Sequence, residues 1–380
     1  MASAEQHLTR AWYSNSWWLV FLIPFSWLFR LLTSIRRSRL QSKHQGHTFS
    51  SPVVIVGNIS VGGSGKTPLI IAIVKALSIS GFNVGVVSRG YGGKADSYPL
   101  DVVEGVSPAQ CGDEPLLIAQ SCDCPVVVDP DRVAAVNYLL ANHSCDLVLS
   151  DDGLQHYRLH RDIEIAVVDG ARGLGNQRCL PAGPLRESSR RLQQVDFVLV
   201  NGETSNAQNM VLGAGVKAQH IGLQPSVFRN LSNNKIVAAS EWADSSSVHA
   251  VAAIGNPDAF AGTLRNLGLD VDLTSKDDHQ QLYIHDLSFN DSLPVIITAK
   301  DAIKYTDTIP DNLWVLEVEM NVPPEFVDGL IGAAGLLMGA TGLSVGAAGL
   351  LIDAAGLPVD KKSFAEQLSL ASQKNSKRDL

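Results

Sequence analysis

Cysteine and surplus positive charge are what this chain has least of. Its five cysteines, Cys111, Cys122, Cys124, Cys145 and Cys179, are odd in number and nowhere spaced C-x-x-C. That excludes a disulfide framework and a paired-cysteine zinc site, and reads as reduced thiols in a cytosolic body. The formal charge of −8 removes the basic face that a general nucleic-acid binder needs. Charged residues make up only 18% against 45% hydrophobic, so the chain is too apolar to be disordered. Its 380 residues are about twice the length of an ordinary domain, and the excess of apolar residues has to sit somewhere specific.

Part of it sits at the N-terminus. Residues Trp17 to Phe29 carry no charge, four of the six tryptophans cluster at Trp12, Trp17, Trp18 and Trp27, and Arg30, Arg36, Arg37, Arg39 and Lys43 follow. Thirteen residues interrupted by Pro24 are fewer than the roughly 20 that cross a bilayer, so the run is expected to lie in the membrane interface. The trailing basic residues keep the remainder on the cytoplasmic side and attract anionic lipid. The expected location is therefore the cytoplasmic face of a membrane, peripheral or monotopic. A second greasy stretch, residues 332–359, repeats a seven-residue unit four times, G-A-A-G-L-L-M and its near-copies. Overlapping it, residues 329–352 are 24 uncharged residues, long enough to span, yet diluted by glycine. A low-complexity tail and a spanning helix both stay open.

Between these ends, short β-branched runs alternate with helical patterns, which predicts an α/β fold with a mostly parallel sheet covered on both faces. Strands are expected at 53–56, 84–87, 126–128, 147–150 and 163–168, and helices at 68–78, 115–120 and 132–142. Further strands at 197–200, 248–254, 294–298 and 313–318 imply a second, smaller α/β unit, with the boundary in the weakly patterned stretch 202–244. The expected organisation is an interface helix over 1–45, a P-loop NTPase-like core over 46–220, a smaller α/β domain over 221–330 and a tail over 331–380.

The first strand runs into G-N-I-S-V-G-G-S-G-K-T-P, residues 57–68. In a phosphate loop the backbone amides cradle phosphates, the lysine reaches the β and γ oxygens, and the hydroxyl binds magnesium. Ser60, Val61, Gly62, Gly63, Ser64, Gly65, Lys66 and Thr67 are the candidate nucleotide-binding residues, with Ser60 standing where the strict pattern has glycine. The related loop of partitioning and site-selection ATPases has a lysine where this chain has Val61, which argues against a dimeric switch. Asp151-Asp152-Gly153 follows an apolar strand, the place where a P-loop protein holds its metal. Which of the two aspartates would contact magnesium stays open.

These residues, with seven further motifs in order, resemble the tetraacyldisaccharide 4'-kinase family over about residues 10 to 330. The motifs are S-R-G-Y-G at Ser88, G-D-E-P at Gly112, D-D-G-L-Q-H at Asp151, L-P-A-G-P-L-R-E at Leu180, I-G-N-P at Ile254, Asp278-His279 and T-A-K-D at Thr298. The resemblance implies transfer of the γ-phosphoryl group of ATP to the 4'-hydroxyl of an acylated glucosamine disaccharide 1-phosphate, in lipid A biosynthesis. It implies Asp113 and His279 as the catalytic pair, and ATP and Mg2+ as cofactors, with Thr67, Glu114, Asp151 and Asp152 around the metal. Arg89 and Arg186 become candidates for a substrate phosphate, because guanidinium matches phosphate bidentately. Gln155 and His156 are read as buttresses of the Asp-Asp turn. The implied partners are the lipid substrate and inner-membrane lipids, with no nucleic acid and no obligate protein. The repeat over 332–359 departs from the family and receives no function. Two other classes stay open at this stage, a membrane-associated P-loop switch or metallochaperone, and a non-catalytic nucleotide-binding scaffold.

Overall fold

β-Branched runs form strands wherever they are bounded by turn residues, and in this chain they line up as one sheet. The computed structural model describes residues 4–14, 16–44, 48–202, 216–278, 280–305 and 307–340. It divides into a unit of residues 1–322 and a unit of residues 323–380. In the first unit the strands are β1 (Val53–Gly57), β2 (Val84–Ser88), β3 (Leu100–Asp101), β4 (Val126–Val128), β5 (Leu147–Asp151), β6 (Ile163–Asp169) and β7 (Phe197–Asn201). They continue with β8 (Ala218–Asn230), β9 (Ile236–Ala238), β10 (Ser247–Ala252), β11 (Asp270–Ser275), β12 (Val295–Thr298) and β13 (Leu313–Asn321). The order across the sheet is β11-β10-β12-β13-β8-β7-β6-β1-β5-β2-β4-β3, with β9 paired to β8.

Two parallel sets make up this sheet, and β8 belongs to both. Its first residues, Ala218 to Ile221, pair parallel with β7, and Gly222 to Asn230 pair antiparallel with β13. The expected junction near residue 220 thus falls inside a strand, in the stretch whose hydrophobic pattern looked weakest. That pattern was weak because much of β8 is only half buried. The polar alternation of β11, Asp270–Ser275, likewise hid a strand at the sheet edge.

The main helices are α1 (Ala4–Ser14), α2 (Ile23–His44), α3 (Lys66–Ile79), α4 (Asp113–Ser121), α5 (Arg132–Asn142) and α6 (Pro257–Asn266). Helix α3 buries Leu69, Ile70, Ile73, Val74 and Leu77, while α5, capped by the Asp131 carboxylate on the Val133 amide, buries Ala135, Val136 and Leu139. The second unit contributes α7 (Pro324–Ala340), where the repeat begins; residues 341–380 lie outside the described residues.

The N-terminal segment is longer than its charge-free run. A 3-10 turn over Trp17–Leu22 continues directly into α2, and Trp17–Leu40 is a 24-residue helical stretch long and apolar enough, by length and composition, to cross a membrane. The expectation that the segment is too short therefore fails, because Pro24 lies in the first turn of α2, where a missing N–H is tolerated. One face of the segment is tied to the body. Ser26 Oγ donates to Cys179 O at 2.8 Å and accepts from the Ala182 amide at 3.0 Å, and Trp12 Nε1 donates to Pro181 O at 3.0 Å. The other face leaves Trp17, Phe21, Phe25, Trp27, Leu28, Leu31 and Leu32 exposed.

Around β8 and β13 the core is aromatic. Phe228 is fully buried, with its ring 4.3 Å from Trp242, which meets Trp314 edge-on at 4.9 Å. Phe228→Ala is expected to destabilise the protein by about 3–5 kcal/mol through lost burial and an unfilled cavity. Urea unfolding of the variant beside the wild type measures this.

Candidate active site

Parallel strands deliver their C-terminal ends to one edge of the sheet, and ligands bind there. In the register of β1 with β5, Val56 pairs with Asp151. The loop after β1 and the aspartate pair after β5 therefore emerge side by side. The residue at the mouth of α3 is Gly65, at φ +85°, and a Cβ there would lie 2.3 Å from Asn201 Nδ2. Only glycine allows both the turn and this approach.

Lys66 opens α3 and holds its Nζ 3.5 Å from Asp152 Oδ1. Arg186 grips the same carboxylate, NH1 to Oδ2 at 3.1 Å, and also donates to Gln155 Oε1 at 3.4 Å. Burial works against ionising Asp152, but Lys66 and Arg186 outweigh it and hold the carboxyl below its usual range. Asp152 has φ +47°, a strained value for a non-glycine residue that marks a position held in place by its surroundings. Asp151 differs from its neighbour in every respect. It is buried, Ser88 Oγ donates to its Oδ2 at 3.1 Å, and its Oδ1 has no partner among the described residues. Burial, then the charges of Glu114 and Asp152, push this carboxyl up to about 7.

The motif segments pack on this edge. Residues 184–186 of L-P-A-G-P-L-R-E run against the first half of the loop: the Val61 amide donates to Pro184 O at 2.9 Å and the Arg186 amide to Ile59 O at 2.7 Å. The Val61 amide is thereby committed, and the open face of the loop begins after it. The S-R-G-Y-G segment packs against the approach to α4, since a Cβ on Gly112 would lie 2.6 Å from Tyr91 O and one on Gly90 would lie 2.9 Å from Cys111 O. Thr67 and Asp113 are buried. Arg89 is exposed and within electrostatic reach of Arg132.

Two charged residues at this edge were not singled out in the sequence. Lys300, in T-A-K-D, brings Nζ to 3.1 Å from Glu114 Oε1 and 3.6 Å from Asp113 Oδ2. Burial alone would lower its pKa, but Glu114, Asp113 and Asp278 raise it. Its motif is visible in the sequence; its role as the cation facing α4 is not, because it lies just after β12, 186 residues from Glu114. Arg132, the first residue of α5, is buried and donates NH2 to Asp151 O at 2.7 Å. No sequence signal marked it beyond its place after an Asp-Pro-Asp turn. From the second parallel set, Gly255 of I-G-N-P comes close to the loop: a Cβ there would lie 3.0 Å from Asp278 Oδ2 and 3.9 Å from the Gly63 amide nitrogen. His279 lies outside the described residues.

Among the described residues no three His, Cys, Asp or Glu side chains converge as a ready metal cage. Magnesium does not need one, since it keeps waters and substrate phosphates as ligands beside one or two carboxylates. The orphaned, buried Oδ1 of Asp151, in a carboxyl whose charge is opposed by burial and two like charges, fits a divalent cation.

His156 follows the Asp-Asp turn, its amide donating to Gly153 O at 2.9 Å. Its Nε2 is buried without a partner among the described residues, and burial followed by the positive charge of Arg132 pushes its pKa down to about 4. The unfolded chain then binds a proton at pH 5 that the folded chain does not, so stability falls as pH drops from about 6.5 to about 4. In His156→Gln the loss of melting temperature between pH 7 and pH 5 is expected to shrink; an unchanged loss would show that His156 charges in place.

Comparison with known proteins gives a consistent set of relatives. The family described as Tetraacyldisaccharide-1-P 4'-kinase matches residues 18–334. A tetraacyldisaccharide 4'-kinase of Ectopseudomonas mendocina (strain ymp) is 45% identical over 331 residues, 86% of this chain and 96% of that protein. One from Legionella pneumophila (strain Lens) is 45% identical over 319 residues, 84% and 94% of the two chains. Among solved structures, "apo" form LpxK from Aquifex aeolicus in complex with ATP matches with a TM-score of 0.66 at 27% identity, covering 83% of this chain and 99% of that one.

Proposed function

The chain belongs to the tetraacyldisaccharide-1-P 4'-kinase family, and we propose from that membership how its own residues move the γ-phosphoryl group of ATP to the 4'-hydroxyl of a tetraacyldisaccharide 1-phosphate. The enzyme is an ATP-dependent lipid kinase of lipid A biosynthesis. Phosphoryl transfer asks a protein chiefly for alignment and for charge placed where it develops. Lys66 Nζ and the loop amides from Gly62 onward receive the phosphate oxygens, and Lys66 exchanges Asp152 for them as its partner. Thr67, Asp151 and Asp152, with Glu114 beside them, would hold Mg2+, which when bound neutralises charge on the phosphate oxygens. The observation that carries this reading is the division of labour at the strand ends. One aspartate is ion-paired by Lys66 and Arg186, and the other is buried, its Oδ2 accepting from Ser88 Oγ at 3.1 Å and its Oδ1 without a partner among the described residues.

Asp113 and His279 act as the pair that takes the proton from the 4'-hydroxyl, a carboxylate and an imidazole each able to tune the other. Support comes from Lys300, which faces Asp113 at 3.6 Å and also feels Asp278, the residue before His279. Arg89 and Arg186 offer guanidinium groups to a substrate phosphate. Lys66→Ala is expected to lower kcat by at least about 100-fold, and Asp113→Ala and His279→Ala by about 100-fold each, with the double variant no worse than the poorer single one. Phosphorylation of the disaccharide lipid in mixed micelles at saturating magnesium-ATP reads all four. A double variant that loses the product of the single effects would dissolve the pair.

The enzyme meets its acylated substrate at the cytoplasmic face of the inner membrane, through α2. Its exposed Phe25, Leu28 and Leu32 form an apolar face, and the exposed Arg30, Arg36 and Arg39 supply charge for anionic headgroups. Because Ser26 and Trp12 pack on the body, the test alters the outer face and spares the segment. Phe25→Glu/Leu28→Glu/Leu32→Glu is expected to abolish flotation with anionic vesicles and to raise KM for lipid, with KM for ATP unchanged. Flotation equal to wild type would remove α2 as the anchor.

A further inference from the structure

Three consecutive carbonyls of the phosphate loop are gripped from outside by side chains of three separate elements. Asn58, in the turn directly after β1, donates Nδ2 to Gly62 O at 3.2 Å. Arg172, beyond the end of β6, donates NH2 to Gly63 O at 3.0 Å. Asn201, the last residue of β7, donates Nδ2 to Ser64 O at 3.2 Å. In a trans peptide the C=O of one residue and the N–H of the next point in opposite directions. Holding the carbonyls of residues 62, 63 and 64 therefore turns the amides of Gly63, Ser64 and Gly65 to the opposite face. Among the described residues those three amides donate to no acceptor.

The grips are themselves fixed. Asp169 holds Arg172 twice, Oδ2 on Nε at 2.9 Å and Oδ1 on the Arg172 amide at 2.9 Å. Asn58 is fully buried, and its own carbonyl accepts from Gln155 Nε2 at 3.1 Å. Asn201 is anchored by the pairing of β7 with β6 and β8. Left to itself, a segment with Gly62, Gly63 and Gly65 would have wide backbone freedom and would lose it on binding.

We propose that Asn58, Arg172 and Asn201 are positioning residues that set the loop amides for phosphate before the nucleotide arrives, acting on the ligand through the backbone and not by contact. The proposal rests on the phosphate-loop reading above and adds to it the side chains that make the loop rigid. Two of the three are neutral, so their effect on an anionic ligand is not a matter of their own charge. Preorganisation of this kind raises affinity by lowering the ordering cost of binding.

Asn201→Leu removes the donor with little change in volume and no change in charge; Arg172→Met removes the second grip at a half-exposed position, and Arg172→Lys keeps a donor there. Calorimetric titration with ATP, melting of the nucleotide-free protein and the separation of kcat from KM are the measurements. Expected is a fivefold to tenfold weaker affinity for ATP in Asn201→Leu and in Arg172→Met, the range of one lost hydrogen bond. The nucleotide-free melting temperature, KM for lipid and kcat at saturating ATP should stay near wild type, and Arg172→Lys should recover most of the affinity. Lys66→Ala serves as the reference in the same titration. If it weakens ATP binding while Asn201→Leu and Arg172→Met do not, the positioning role is overturned and the phosphate loop stands. If none of the three changes affinity, the loop assignment falls with it. A melting temperature that drops in both Asn201→Leu and Arg172→Met, with ATP affinity unchanged in the molecules that remain folded, also overturns the proposal, since it makes the grips supports of the fold alone.

Discussion

Carboxylates gathered in a desolvated place repel one another, and the arrangement at the strand ends is an answer to that repulsion. Asp113, Glu114, Asp151 and Asp152 share one edge of the sheet, with Asp151 buried and its carboxyl pushed up to about 7. Lys66 and Arg186 meet Asp152, Lys300 meets Asp113 and Glu114, and Arg132 reaches the Asp151 backbone. The residual strain on Asp151 is what makes the edge receptive to a cation, because an opposite charge relieves both desolvation and like-charge repulsion.

The cations come from elements far apart in the chain, and the continuous sheet is what brings them together. Lys66 heads α3 after β1, Arg186 rides on a segment stitched to the phosphate loop, Arg132 starts α5, and Lys300 follows β12 in the other parallel set. Strand β8 makes the sheet continuous by pairing parallel on one side and antiparallel on the other. Without that change of direction, Lys300 and the Gly255 turn would not face α4 and the loop.

The phosphate loop and the membrane segment share a design in which a tethered side leaves the opposite side free. Carbonyls of residues 62–64 are held so that the amides face the opposite side, and Ser26 and Trp12 hold the N-terminal segment so that Phe25, Leu28 and Leu32 remain exposed. In both cases local sequence states which groups are available, and distant residues decide which way they face.

Much of this was legible in the residues. Runs such as Val53 to Val56 and Ile163 to Val168 became strands because β-branched side chains buried on both faces leave little alternative, and the glycines and lysine of residues 57–67 announced a phosphate loop through local backbone chemistry. Strands β8 and β11 went unread, since a half-buried or edge strand has no strong hydrophobic period. Pro24 reads locally as an interruption, although its effect depends on where in a helix it falls. The unlike states of Asp151 and Asp152 could not be read from adjacent identical letters. Local sequence determined which backbone conformations and chemical groups this chain carries; only the tertiary structure decided the neighbours of each charge, because desolvation and Coulomb interaction depend on distance in space and not along the chain.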